Sequence, residues 1–240
     1  MAGYNTTRTA NIGTGSLAID EGLKAHMSKT YSLMAVAMLI TGAVAYVVGN
    51  NNAMLAVIFG TPLKWVVMFA PLAVVFGLGA TINRMSAGAA QLVFWAFAGL
   101  MGLSISFIFA VYTGISISQT FLVTAIAFSG LSIWGYTTKK DISAWGSFLI
   151  MGVIGLIIAS IVNIFMASPA MQFAISSLGV LIFAGLTAYD TQRIKNDYIQ
   201  MASSGNTDWL AKSAIMGALS LYLNFLNMFM FLLQFMGNRN

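Results

Sequence analysis

Apolar residues run along this chain in seven long blocks, separated by short polar or glycine-rich connections. The blocks fall at about 30–49, 62–82, 88–111, 118–138, 144–166, 171–191 and 213–236. Each approaches the roughly 20 residues that an α-helix needs to cross a bilayer core. Backbone N–H and C=O groups inside lipid have no water to bond, so the blocks are read as helices. A further apolar run, residues 53–59, is too short to cross and is expected to be an interfacial loop. Glycines at 99, 102, 152, 155, 179 and 185 punctuate the blocks and are read as places where helices cross closely.

Composition agrees with this pattern. The 240 residues are 59% hydrophobic and 7% charged, against roughly 25% charged in soluble domains. The fold class is therefore all-α, a polytopic membrane protein. It has one membrane domain (29–237), a polar N-terminal tail (1–28) and a short C-terminal end (238–240). The tail lacks an apolar core near its start, so no cleavable signal peptide is expected and the first span serves as its own insertion signal. Residues 19–24 are compatible with a short interfacial helix.

Basic residues alternate from one connection to the next. Arg8, Lys24, Lys29, Arg84, Lys139, Lys140, Arg193, Lys195 and Lys212 fall on one side, against Lys64 and Arg239 on the other. The positive-inside bias then places the N-terminus in the cytoplasm and the C-terminus outside. Trp134, Tyr136 and Trp145 flank Lys139 and Asp141 as expected of rings at headgroup level. The net charge of +5 is accounted for by these topology signals and by anionic lipid, so nucleic acid is not expected as a partner. With no cysteine and a single histidine, disulfides, thiol chemistry and a multi-histidine metal site are excluded. His26 is read as a solvated residue of the tail.

One carboxylate stands out. Asp190 ends the sixth apolar block and is the only acidic residue contiguous with such a block between Tyr31 and Phe235. Acids at that depth mark transport, gating or proton handling, and a helix C-terminus disfavours negative charge. A nearby cation offsets both effects, and Arg193 and Arg84 are the candidates. The bland reading is a locked Asp–Arg pair; the functional one is a latch that opens on protonation or cation binding.

The last block adds a polar stripe. Gly217, Ser220, Asn224, Asn227 and Gln234 follow at steps of 3, 4, 3 and 7, one face of a helix, opposite Leu219, Leu223, Phe229 and Leu233. Such a face meets other helices or lines a water-filled pore or cavity. Amide oxygens are also cation ligands, so a calcium ion at Asp190 is the one bound species considered, with no other cofactor. No catalytic constellation is present: there is no HExxH motif, no P-loop lysine and no second intramembrane aspartate. Enzymatic activity is not expected.

Three segments carry a resemblance to a known family. They are residues 185–195 with Tyr189-Asp190-Thr191-Gln192, residues 218–229 with Leu221-Tyr222-Leu223-Asn224, and residues 155–165 with Asn163. Together they resemble the Bax inhibitor-1 family, also called the transmembrane Bax-inhibitor-motif family, in its bacterial members. The resemblance implies six helices around a central seventh, in a bacterial inner membrane. It also implies a pH-sensitive calcium leak channel, in which two aspartates on the last two helices couple to an arginine on the second. By position the first aspartate matches Asp190 and the arginine matches Arg84, while the second aspartate is replaced by Asn224. Asparagine does not titrate, so a weaker or shifted pH response is expected, with Arg84–Asp190 carrying most of the latch. The alternative is a non-conducting regulator of a membrane-bound AAA protease, with the tail as its contact element. A solute transporter is the third possibility.

Overall fold

The computed structural model describes residues 6–202 and 206–240, with side chains described from Ile19 onward. Among these the regular structure is all helical, with short connections and one isolated bridge between Tyr112 and Arg239. In order, the elements are α1 (Thr6–Gly49), α2 (Asn52–Phe59), α3 (Leu63–Thr81), a 3-10 turn (Ile82–Arg84), α4 (Ala87–Ile105), α5 (Ile108–Val111), α6 (Gly114–Thr137), α7 (Trp145–Met166), α8 (Pro169–Met201) and α9 (Thr207–Met236). Seven stretches are long and apolar enough to cross a membrane: Ile19–Gly49, Leu63–Arg84, Ala87–Val111, Gly114–Thr137, Trp145–Met166, Pro169–Met201 and Thr207–Met236.

Side-chain caps define most of the helix starts. Asn51, Ser86, Thr113, Ser168 and Asn206 each accept a hydrogen bond from a backbone N–H in the first turn that follows, which satisfies donors left open at a helix N-terminus. The cap at Asn51 also makes residues 53–59 a short helix, α2, rather than the expected loop.

Two ends differ from the hydropathy boundaries. Residues 6–49 form one unbroken helix, so the border drawn at 28/29 is a change of polarity and not a break in the backbone; residues 1–5 lie outside the described residues. α8 continues about ten residues past the expected end at 191. The same packing explains both extensions. Ile194 and Tyr198 of α8 are buried, the His26 ring lies 5.0 Å from the Tyr198 ring, and Gly22 abuts the Tyr198 hydroxyl. His26 is only 6% exposed, so the reading of it as solvated is corrected. A polar sequence next to an apolar span is still covered when another helix extends just as far.

α9 is the most buried span, at 61% of its apolar window against 11% for α7 and 17% for α3. It packs extensively on α8, α1, α6 and α4, while α3 lies mainly on α4 and α7 on α8. Tyr222 sits at the centre of this core. Its ring meets Phe94 and Phe97 edge-on at 6.0 and 5.5 Å, and its hydroxyl shares a hydrogen with Thr41 at 2.7 Å. Leu219, Phe229 and Leu233, read as the greasy side of α9, are core residues at 4% exposure or less.

Four of the six glycines singled out by sequence are close-crossing points. Gly102 faces the Thr41 carbonyl, Gly152 faces Ile182, Gly179 faces Phe231 and Gly185 faces Leu149; Gly99 and Gly155 have open space. The closest approach to the backbone of another helix is not among the six. A Cβ on Gly135 would run into the Ala188 carbonyl oxygen, a backbone atom that no rotamer change can move. Gly135→Ala should therefore lower stability by about 2–3 kcal/mol through overpacking, while Gly99→Ala should be close to neutral. Thermal unfolding of the purified protein in detergent compares the two, and equal midpoints would contradict the crossing.

Candidate functional site

Asp190 faces α9 about three turns before α8 ends at Met201 and is 6% exposed. Both of its oxygens are engaged. Oδ1 accepts from Arg193 Nη2 at 2.9 Å, and Oδ2 accepts from Asn224 Nδ2 at 2.7 Å. Arg193 Nη2 also donates to Ser220 Oγ at 3.2 Å. The carboxylate is thus fully bonded within one α8–α9 seam.

The expected Arg84–Asp190 contact is absent. Among the described residues there are two ion pairs, Arg193–Asp190 and Lys212–Asp208, and Arg84 is exposed at the end of the 3-10 turn. The reason lies in the spacing. Arg193 is three residues beyond Asp190, so the helix itself puts the two on one face. Arg84 would need α3, which packs mainly on α4, to come across to α8.

The polar stripe of α9 divides in two. Ser220, Asn224 and Asn227 line a cavity of about 660 Å³, shared with Asp190, Tyr189 and Phe183 of α8 and with Leu156 of α7. Leu223, assigned to the opposite surface, lines it too. On its outer side are Leu72 of α3 with Ile157 and Ile161 of α7, all of them exposed, so the cavity opens sideways as well. Asn227 donates its amide to the Leu223 carbonyl at 2.8 Å. Gln234 belongs elsewhere. It lies at the other end of α9, where Gln172 Nε2 donates to its Oε1 at 2.8 Å and Ser176 Oγ lies 3.3 Å away. These residues and Asn163 line a separate cavity of about 470 Å³.

Cavity lining and interhelical hydrogen bonding are therefore not alternatives here. Ser220 and Asn224 bond to α8 and present their remaining surface to the cavity. Calcium takes six to eight oxygen ligands. A single carboxylate, already paired with a guanidinium and flanked by amide and hydroxyl oxygens, would hold such an ion only weakly.

Gln192 has a role that its place in the sequence does not indicate. Two steps from Asp190, it points to the other side of α8 and clamps the α6–α7 connection: its Oε1 accepts from the Ile142 N–H at 3.0 Å and its Nε2 donates to the Lys140 carbonyl at 2.8 Å. In the same connection, Asp141 receives hydrogen bonds from the Ser143 hydroxyl and backbone, which hold its carboxyl below the ordinary range. Lys195 reinforces the clamp by donating to the Tyr136 carbonyl at 2.8 Å. The four-residue motif thus serves two faces: Asp190 toward α9 and Gln192 toward the loop. Only the amide's reach into a loop fifty residues away reveals the second role.

Comparison with known proteins agrees with this architecture. The chain is 46% identical over 239 residues to an uncharacterized protein of Caulobacter vibrioides, covering 96% of this chain and 95% of the relative. It is 41% identical to an uncharacterized protein of Rickettsia prowazekii, with 97% and 98% covered. It is 42% identical to the inner membrane protein YbhL of Escherichia coli, with 91% and 93% covered. The family described as inhibitor of apoptosis-promoting Bax1 matches residues 23–240. With that match covering most of the chain, from within α1 to its last residue, this chain belongs to the Bax inhibitor-1 family.

Proposed function

We propose that this protein is an inner-membrane cation leak pathway, with calcium as the permeating ion and Asp190 as the group that attracts it. The observation that carries the reading is a buried carboxylate on the wall of a cavity about 660 Å³ in volume, beside the amides of Asn224 and Asn227. An intramembrane acid is costly unless it serves a pathway or a proton. Conduction asks for a site attractive enough to enter and weak enough to leave. On this reading the basic connections face the cytoplasm, which puts Asp190 in the cytoplasmic half of α8.

The latch in this reading is Arg193–Asp190–Asn224. Arg193 neutralises the carboxylate in the resting arrangement, and its release exposes the charge to the cavity. Calcium entry into proteoliposomes loaded with an indicator tests the proposal, with protein-free vesicles as the baseline. Arg193→Gln should raise the rate roughly fivefold, the equivalent of about 1 kcal/mol for a half-exposed pair. Arg84→Gln should leave the rate at the parent's value. A rate no higher than that of empty vesicles would refute conduction, and the reverse ranking of the two arginines would restore Arg84 to the latch.

A further inference from the structure

The polar stripe of α9 has a gap. After Gly217, Ser220, Asn224 and Asn227, the next residue on that face is Phe231, and Gln234 follows three residues later. The steps of 4 and 3 keep all of them on one side of the helix. Phe231 lines the larger cavity, which shares no lining residue with the smaller one around Gln234 and Gln172.

α8 meets this face in antiparallel register. Going up α9, Ser220 pairs with Arg193, Asn224 with Asp190 and Gln234 with Ser176. Between the last two pairs, Phe231 stacks on Phe183 with ring centres 5.9 Å apart. It also lies across Gly179, where an added Cβ would come within 2.5 Å of its ring. Gly179 is buried and leaves the ring room to close against the α8 backbone. A pair of stacked rings over a bare stretch of helix is an apolar stopper between the mainly apolar cavity that holds Asp190 and the amide-lined one. Hydrophobic constrictions of this kind stop ions by excluding the water that would carry them.

We infer that Phe231, held by Phe183 and Gly179, is the barrier that separates the Asp190 cavity from the amide-lined cavity at the opposite end of α9. As the constriction of an ion path it rests on the leak-pathway reading; as a barrier between two cavities it does not. The amide cavity is then a second vestibule, and a cation crossing the protein has to pass this ring.

The absence of cysteine from the chain makes the test direct. Single cysteines are placed at Asn227, in the Asp190 cavity, and at Ser176, in the amide cavity. Right-side-out and inverted membrane vesicles are treated with a charged, membrane-impermeant thiol reagent. From the face that carries the C-terminus, Ser176→Cys should react and Asn227→Cys should not. Asn227→Cys should react from the face that carries the α8–α9 connection. Adding Phe231→Ala should make Asn227→Cys reactive from the C-terminal face, at least tenfold faster than before, while Phe231→Leu keeps it sealed. Phe231→Val carries the same expectation as Phe231→Ala if the alanine variant does not accumulate.

Reaction of Asn227→Cys from the C-terminal face in the parent background overturns the barrier. So does an unchanged rate on removal of the ring, or failure to react from either face. Calcium flux in the same variants separates the two ideas. Opened labelling with faster flux supports both. Opened labelling with no flux above empty vesicles leaves the barrier standing and refutes conduction.

Discussion

If the protein conducts calcium, exchanging Asp190 for asparagine is expected to lower calcium entry into proteoliposomes by at least about tenfold. Near a protein surface, a unit charge about 4 Å from a cation contributes roughly 4 kcal/mol per charge. Arg193, 2.9 Å away, takes back part of that attraction. If only a third survives, its loss is a tenfold change. The exchange also disturbs the bonding. Asp190 accepts from both Arg193 and Asn224, whereas asparagine has one carbonyl oxygen and one amide nitrogen. Arg193 can keep the carbonyl oxygen while Asn224 turns its amide to accept from the new nitrogen, so the bonds survive in neutral form and the cost is about 1 kcal/mol. Flux should accordingly be measured per folded molecule, with thermal unfolding alongside. A destabilised variant that conducts at the parent's rate would reduce Asp190 to a fastening between α8 and α9.

The second large effect is expected from Asn224→Asp. The amide nitrogen of Asn224 is 2.7 Å from Asp190 Oδ2, and a carboxylate there puts two acceptor oxygens face to face. Arg193 is committed to the other oxygen of Asp190. Two carboxylates at that separation stay together only around a shared proton. Separated in the unfolded chain they need no such proton, so folding of the variant takes one up and its stability falls as pH rises. As pH rises above the ordinary carboxylate range the melting midpoint should drop, by about 2–4 °C for each kcal/mol lost. Calcium flux should acquire a step over the same rise in pH, because the repelling charges loosen the α8–α9 seam beside the cavity. The parent chain, with a neutral amide at 224, should lack that step. If the variant and the parent have superimposable profiles, the two side chains do not face each other in the membrane as described.

Much of this site was legible in the sequence. A carboxylate at the end of an apolar block is conspicuous in any chain that is 7% charged, so Asp190 could be singled out without a structure. The 3- and 4-residue steps from Ser220 to Asn227 place three polar groups on one helix face by geometry alone. Arg193 was a candidate for the same reason, being one turn away. Phe231 escaped notice because the stripe was traced through polar residues, and the ring at the intervening step looked like one more apolar residue among many.

Seven spans, the all-α class and the family follow from local properties: length, hydropathy and short motifs, each set within one helix or one turn. Lipid makes that inference strong, because a backbone crossing it has almost no alternative to the helix. The choice between Arg193 and Arg84, the burial of His26, the Gln192 clamp and the division of the stripe by Phe231 belong to a different category. Each depends on which helices lie side by side, over what length and in what register. α3 lies on α4 and so leaves Arg84 exposed; α1 and α8 extend together and so cover His26. Those outcomes are set by packing between residues far apart in the chain, where one glycine or one ring decides the fit, and no local pattern encodes them.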